Sequence, residues 1–174
     1  MNYENEVFRV RKLREADAKS LFTMYSGSSN SAKYISTLPH DSAETTLLKI
    51  KQWRTFYLDS SPKVRVYGVA ESSEDFVFGV VVFVFNERHA EIHFGVSEKF
   101  SNLGIATELC RSGLEYLKNL GVNEVRTNPF SGHVASIRVL EKSGFLSHGT
   151  LNNYARFPTL GDNLFNCADM RINL

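Results

Sequence analysis

The chain has 174 residues, of which 43% are hydrophobic and 22% are charged, and its formal net charge is +1 at pH 7. This length and composition are typical of one globular domain with a single substantial core. The small net charge provides no electrostatic footprint for nucleic acid or for an anionic membrane surface, so we expect neither as a partner.

Cysteine content and local composition predict a cytoplasmic protein. Two cysteines, Cys110 and Cys167, do not suggest a disulfide framework, which indicates a reducing compartment. Residues 1–6 lack the basic and apolar regions of a secretory signal. The longest apolar run, residues 76–85, is too short to cross a bilayer as a helix and suits a central strand buried on both faces.

The first half of the chain alternates between strand and helix patterns. Alternation over residues 7–13 predicts a strand whose arginines form a solvated face. The other expected elements are a helix over 15–25, a polar loop over 26–30, a helix over 42–57 that begins at Ser42, and an antiparallel pair of strands over 64–70 and 76–86.

The second half begins with a strand over residues 90–96 and an amphipathic helix that follows Gly104. Ser112 and Gly113 lie in the middle of that helix and indicate close packing. A short strand over 124–127 completes a β-α-β crossover with parallel strands. The remaining predicted elements are a helix over 134–142 capped by Gly144 and, over residues 145–174, two weak strands around residues 152–163.

The strand, loop and helix around Gly104 predict an anion site. In this order of elements, the unpaired N–H groups at the start of the helix converge on one point. The helix dipole also favours negative charge there, so a phosphate-bearing ligand is expected.

Three segments resemble the GNAT acetyltransferases, and most closely their ribosomal-protein N-terminal (RimJ/RimL-like) branch. Residues 9–18 are similar to the opening of that branch, and residues 135–145, which read ASIRVLEKSGF, are similar to its second motif. Between them, the acetyl-CoA motif is matched at Glu91, Ile92, Phe94, Phe100, Gly104, Ala106, Thr107 and Glu108. The resemblance implies one GNAT domain over residues 1–174, with an α/β (α+β) fold: a mixed, mostly antiparallel central sheet with helices on both faces.

The resemblance also implies how the diphosphate of acetyl-CoA is held without a metal. It would lie over the amides of Ser101, Asn102, Leu103, Gly104, Ile105, Ala106 and Thr107. The chain departs from the family at the first three of these positions. Asn102 tolerates positive φ, so the turn can survive. Leu103 replaces a lysine, a loss that would cost about 0.5–1 kcal/mol of binding free energy.

The pantetheine arm would pair like an extra strand with the backbone of residues Phe94, Gly95 and Val96. A backbone N–H there would also stabilise the oxyanion of the tetrahedral intermediate. In the following helix His133 replaces a family asparagine, whereas Ser136 is retained. His133 can still donate or accept one hydrogen bond.

Glu91 and His93 alternate onto one face of the motif strand and are the candidate bases for the amine. Glu91 coincides with a family acid, and His93 replaces a glycine and has the side-chain type best matched to neutral pH. The alternative is a solvated Glu91 and a packed His93. The family tyrosine acid falls at Leu140, which leaves Ser136 or Tyr154 for that role, or proximity alone.

Other chemistries lack their motifs. The five histidines show no metal-ligand spacing, and no P-loop, dinucleotide or nucleophile-elbow sequence is present. The favoured function is therefore an acetyl-CoA-dependent N-acetyltransferase acting on a primary amine by direct attack in a ternary complex. The alternative is a non-catalytic GNAT-like module that binds a CoA or serves as an interaction domain. Few acids occur in the predicted acceptor walls, residues 15–58 and 146–164, which favours a peptide N-terminus or an amino-acid-like amine over a polyamine.

Overall fold

The computed structural model describes all 174 residues, and eight strands form one sheet in the order β1-β2-β3-β4-β5-β6-β8-β7. The strands are β1 (Tyr3–Glu4), β2 (Phe8–Arg11), β3 (Val64–Glu71), β4 (Val77–Phe85), β5 (Ala90–Val96), β6 (Glu124–Thr127), β7 (Leu146–Arg156) and β8 (Leu164–Asn173). All neighbours are antiparallel except β5 and β6, which are parallel. The predicted mixed, mostly antiparallel sheet is confirmed.

The α-helices are α1 (Ala18–Leu21), α2 (Ser29–Ala32), α3 (Ala43–Thr55), α4 (Ile105–Asn119) and α5 (Val134–Lys142). A 3₁₀ turn before α1 and a π turn after it make residues 15–26 one helical segment, as predicted. The Ser42 hydroxyl caps α3 by accepting from the Thr45 amide at 3.1 Å. The loop predicted over 26–30 is partly wrong, because the Ser28 hydroxyl caps the short helix α2.

Helices cover both faces of the sheet. One core lies between the sheet and α4–α5, and it includes Ile92, Leu109 and Leu140. The other lies under α1 and α3, and it includes Leu21 and Ile50. Strand β4 contributes to both cores, as predicted for the apolar run.

Gly113 allows α4 to approach the sheet closely. A Cβ at this position would lie 2.7 Å from Cδ1 of Ile92, so the predicted packing role of the glycine is confirmed. The predicted left-handed conformation of Gly144 after α5 is also present, with φ +96°. Both glycines hold helices against the strands that carry the site described below.

The two C-terminal strands predicted over residues 145–174 are present. β7 has 11 residues and β8 has 10, joined by residues 157–163. β7 is the edge of the sheet and most of its side chains are exposed, so it lacks a clear apolar alternation. Its register also shifts twice along β8, which obscures the period of two.

Arg11 corrects the prediction of a solvated arginine face on β2. Its guanidinium pairs with Asp17 at 2.8 Å and with Asp75 at 2.8 Å, and its side chain is only 12% exposed. Asp75 has φ +57° in the β3–β4 turn, which brings its carboxylate back over β2. This long-range contact cannot be read from the alternation of β2 alone.

We expect Asp17→Ala to lower the free energy of unfolding by about 3 kcal/mol, because it leaves a largely buried guanidinium with one partner fewer. The Asp17 side chain is 8% exposed, and its carboxylate also accepts from the Arg14 amide. Urea denaturation measures the change. Glu15→Ala is the matched control, because Glu15 pairs with Lys51 at the surface and should change stability by less than about 1 kcal/mol. Equal effects would contradict the buried-pair account.

Candidate active site

A cleft opens in the sheet where β5 and β6 separate. The two strands are paired only at Ala90 with Val125 and at Glu91 with Arg126. Beyond these pairs the C-terminal half of β5, up to Val96, has no partner on this side. Two parallel strands that splay in this way leave an edge to which an extended ligand can add.

The unpaired edge of β5 presents the backbone of Phe94 and Val96. The Ser97 amide donates to the Phe78 carbonyl on β4, and the register between β4 and β5 has no shift. Hydrogen bonds alternate along an antiparallel pair, so the backbone groups of Phe94 and Val96 aim away from β4 into the cleft. The backbone groups of Gly95 point toward β4 instead. A Cβ at this residue would overlap the Tyr25 hydroxyl.

The loop between β5 and α4, residues 97–104, is the amide loop: together with the first turn of α4 it holds a run of unpaired amide groups. The Ser101 amide donates to Glu98, and the Thr107 and Glu108 amides donate to Gly104. None of the five N–H groups from residue 102 to residue 106 donates within the protein. These amides and the N-terminus of α4 form the anion-binding geometry that the sequence predicted.

The backbone of this loop depends on two left-handed residues. Asn102 has φ +63° and Gly104 has φ +77°, so the expectation that asparagine preserves the turn is confirmed. No heavy atom lies within 4 Å of the position that a Gly104 Cβ would occupy. The missing side chain therefore leaves open space above the amides, where a diphosphate can approach the backbone closely.

Glu91 and His93 lie on the face of β5 that points away from α4. His93 Nε2 lies 3.0 Å from Glu91 Oε2, and the Asn86 amide donates to the other carboxylate oxygen at 3.1 Å. The His93 hydrogen bond, opposed by partial burial, lowers the pKa of Glu91 below its usual range. The His93 side chain is 48% exposed, so the alternative of a packed histidine is wrong.

The geometry of this pair defines the proton positions. An ionised Glu91 can only accept, so Nε2 of His93 carries the hydrogen, and in the neutral imidazole Nδ1 then carries the lone pair. The carboxylate thereby orients the imidazole with a basic nitrogen away from it. This arrangement can take a proton from an ammonium group, directly or through water.

A segment between α1 and α3 crosses the far end of the cleft. Asn30 donates to Glu98, just after β5, at 2.8 Å. Tyr34 stacks on Phe130 and His133, which follow β6, with centroid separations of 5.6 Å and 4.2 Å. Residues 30–34 therefore link the ends of the two separated strands.

His133 is the N-cap residue of α5, and Tyr34 covers one face of its ring. Its predicted contact with the cofactor stays a prediction. Burial lowers the pKa of His133. The unfolded chain therefore binds this proton more readily than the folded one, and stability falls as pH drops below the unfolded pKa, about 6.5.

We expect His133→Phe, which keeps an aromatic ring against Tyr34, to lose less stability on acidification from about pH 7 to pH 5. Urea midpoints of parent and variant at both pH values measure this difference. His148→Phe is the control, because His148 is exposed on β7. Identical acid sensitivity of parent and His133→Phe would show that His133 titrates alike in both states.

The structure also locates the candidates for a general acid. Leu140 is buried, so the family position for a tyrosine remains apolar. Ser136 lies in the first turn of α5. Tyr154 lies on the sheet face that carries Glu91, opposite α5, and its hydroxyl is 3.4 Å from Asn128 Oδ1.

A cavity of about 710 Å³ opens on the sheet face that carries Glu91. It is lined by Asn86, Glu87, Arg88, His89, Glu91, Arg126, Asn128, Leu151, Tyr154, Asp169 and Arg171. Arg126 and Arg171 were not predicted, because they meet only through the β5-β6-β8 order of the sheet. The alternation of β6 could have placed Arg126 on one face, but the short strand gives no indication of its neighbours.

No group of three or more His, Cys, Asp or Glu side chains is arranged to hold a metal ion. None of the helices combines the length and apolar character needed to cross a membrane.

Solved structures of acetyltransferases share this fold. A GNAT-family acetyltransferase from Bacillus anthracis is 22% identical, with a TM-score of 0.82, and 99% of this chain and 98% of that chain are covered. Ribosomal-protein-S5-alanine acetyltransferase from Vibrio fischeri is 14% identical, with a TM-score of 0.85 and coverage of 99% and 96%. Spermidine N-acetyltransferase from Vibrio cholerae, solved with CoA and spermine, is 18% identical, with a TM-score of 0.78 and coverage of 97% and 96%.

No curated protein matches the sequence. A family model described as an acetyltransferase (GNAT) domain matches residues 8–146, which include β2 to β6, the amide loop and α5. The matched range includes the three motifs and both of the splayed strands, β5 and β6. The chain therefore belongs to the GNAT family of acetyltransferases.

Proposed function

We propose that the protein transfers an acetyl group from acetyl-CoA to a primary amine, either a protein α-amine or an amino-acid-like amine. The observation that carries this proposal is the unpaired edge of β5 beside five unpaired amides before and within the start of α4. The edge suits the amide-containing pantetheine arm, and the loop suits the diphosphate. When bound, acetyl-CoA supplies the activated acetyl group.

The chain's own groups would then act on the amine. In our proposal Nδ1 of His93 accepts the proton of the ammonium group, and Glu91 holds the imidazole through Nε2. The N–H group of Phe94 or Val96 stabilises the oxyanion that forms on the thioester carbonyl. Ser136 remains a candidate for returning a proton to the departing thiolate.

Direct attack in a ternary complex is supported by the lack of a suitable nucleophile. Cys110 and Cys167 are both fully buried and unpaired by disulfide. Burial raises the pKa of Cys110 to about 11 and also raises the pKa of Cys167. A buried thiol with a raised pKa is a poor nucleophile, which disfavours an acetyl-cysteine intermediate.

A transfer assay with four acceptor classes tests this function: short peptides, free amino acids, polyamines and aminoglycosides. We expect N-acetylated product from peptides or amino acids, detected by mass spectrometry together with release of CoA. Activity confined to polyamines would show that the proposed class of acceptor is wrong. Binding of acetyl-CoA without transfer to any class would support the non-catalytic alternative.

Leu103→Lys should strengthen acetyl-CoA binding. Leu103 lies in the amide loop and is 64% exposed, where the related enzymes carry a lysine. A restored cation should gain about 0.5–1 kcal/mol at low salt, and the gain should shrink as salt rises. Calorimetry measures the acetyl-CoA affinity of the parent, Leu103→Lys and Leu103→Gln proteins. The glutamine variant separates the effect of a positive charge from that of a polar side chain. A salt-independent or absent gain would place the diphosphate elsewhere.

We also propose that residues 1–174 act as one GNAT domain in the cytoplasm. β8 pairs with β6 and carries β7, which joins the C-terminal strands to the cofactor motif. Two cysteines without a disulfide are compatible with a reducing compartment.

A further inference from the structure

The cavity beside Glu91 contains two arginines that face each other across strands. Arg126 on β6 is directly opposite Arg171 on β8, and Glu91 on β5 is directly opposite Arg126. Residues opposite one another in a sheet share a face, and neighbouring strands lie about 4.8 Å apart. The candidate base and two guanidinium groups therefore form one row along the floor of the cavity.

Each arginine is fixed by a carboxylate on its own strand. Arg126 donates through Nε and Nη2 to Glu124, with both distances 3.0 Å. Arg171 donates through Nε and Nη2 to Asp169, at 2.9 Å and 2.5 Å. Both forks are bidentate, which orients the planar guanidinium groups.

The same contacts leave Nη1 of both arginines without a partner in the protein. Their side chains are 33% and 34% exposed, so these donors are accessible from the cavity. Glu124 and Asp169 already offset the charge of the two arginines, but neither carboxylate occupies Nη1. Two oriented donors of this kind match a carboxylate.

The position of the row relates this anion site to acetyl transfer. α4 and α5 cover the opposite face of the sheet, so an acceptor reaches the cleft from the face that carries Glu91 and His93. The cleft begins immediately after the Glu91–Arg126 pair. An acceptor whose amine lies beside His93 can extend past Glu91 toward Arg126 and Arg171.

We infer that Arg126 and Arg171 bind a carboxylate of the acceptor, so that the enzyme selects amines that carry a nearby carboxylate. This inference rests on the proposed acetyl transfer. The carboxylate can be the α-carboxylate of a free amino acid or the side chain of an acidic second residue in a peptide. A polyamine has no carboxylate and therefore could not accept from the free Nη1 groups of the two arginines.

Matched acceptors test the inference. One pair is an L-amino acid and its α-amide, and a second pair is a C-terminally amidated peptide with Asp or Asn as its second residue. Amidation of an amino acid also lowers the pKa of its amine, so the two members of a pair differ in more than the carboxylate. The informative quantity is therefore the ratio of kcat/KM for the two members, and how an arginine substitution changes it. The pair that responds identifies the source of the carboxylate.

We expect Arg126→Gln and Arg171→Gln each to lower kcat/KM for the carboxylate-bearing member by about tenfold to a hundredfold, the usual effect of losing a hydrogen bond between charged groups. The uncharged member should change by less than about threefold. Arg126→Lys should recover part of the loss, because lysine keeps the charge but not the fork. Arg14→Gln is the control, since Arg14 pairs with Asp75 outside this cavity.

Equal losses for both members of each pair, or better turnover of spermidine than of either carboxylate-bearing acceptor, would overturn the inference while acetyl transfer stands. Absence of any transfer would instead contradict the proposed function. In that event calorimetry still tests the arginine site, by measuring the affinity of an N-acetylated amino acid and of its α-amide for the protein in the presence of CoA. Equal affinity for the two probes would overturn the inference, and preference for the carboxylate that Arg126→Gln abolishes would support it.

Discussion

Gly104→Val is expected to weaken acetyl-CoA binding by about a hundredfold or more, because the valine occupies the space through which the diphosphate reaches several amides. Gly104 has φ +77° and nothing within 4 Å of its Cβ position. Calorimetry should show one site per chain in the parent protein and no measurable site in the variant.

Gly121→Val is a closely matched control for this experiment. Gly121 lies at the other end of α4, with φ +80° and equally open surroundings. Valine at positive φ costs about 1–2 kcal/mol of stability at either position. Only Gly104→Val should lose acetyl-CoA, and loss of binding in both variants would attribute the effect to backbone strain in α4.

His93→Ala is expected to lower kcat by about 10²–10⁴-fold while changing acetyl-CoA affinity little, because it removes the proposed base and leaves the amide loop intact. The rate should rise with pH in the parent protein and level off once the base is deprotonated. That inflection should be missing from His93→Ala. Initial rates measured across pH, with acetyl-CoA affinity measured by calorimetry, test both statements.

Glu91→Gln separates positioning from proton transfer. Glutamine can still contact Nε2 of His93, but it no longer holds a negative charge beside the imidazole. The variant should keep a pH inflection, with a smaller loss of kcat than His93→Ala. His148→Ala, on the exposed strand β7, should leave the profile unchanged. Unchanged profiles in both site variants would leave solvent as the base.

The parts of the fold that follow local rules could be predicted from the sequence. Ser42 begins α3, Gly144 ends α5, and the apolar run of β4 is buried on both faces. The amide loop could also be predicted, since a strand followed by Gly104 and an amphipathic helix defines its geometry. In each case the residues that determine the element lie within it or next to it in the sequence.

Features that depend on distant partners could not be predicted. Arg11 becomes a buried partner of Asp17 and Asp75 only because the β3–β4 turn folds over β2. His133 stacks on Tyr34, which lies about a hundred residues earlier in the chain. The facing pair of Arg126 and Arg171 requires the register of β6 on β8, which neither strand encodes alone.

Acetyl transfer by direct attack requires a complex of enzyme, acetyl-CoA and amine. Initial rates over a matrix of acetyl-CoA and acceptor concentrations test it most directly, with the best acceptor from the amino-acid and peptide panel. We expect double-reciprocal lines that intersect, because both substrates must be bound before the amine attacks the thioester. Parallel lines would indicate a covalent acetyl-enzyme and would contradict the account, as would CoA release that does not depend on the acceptor.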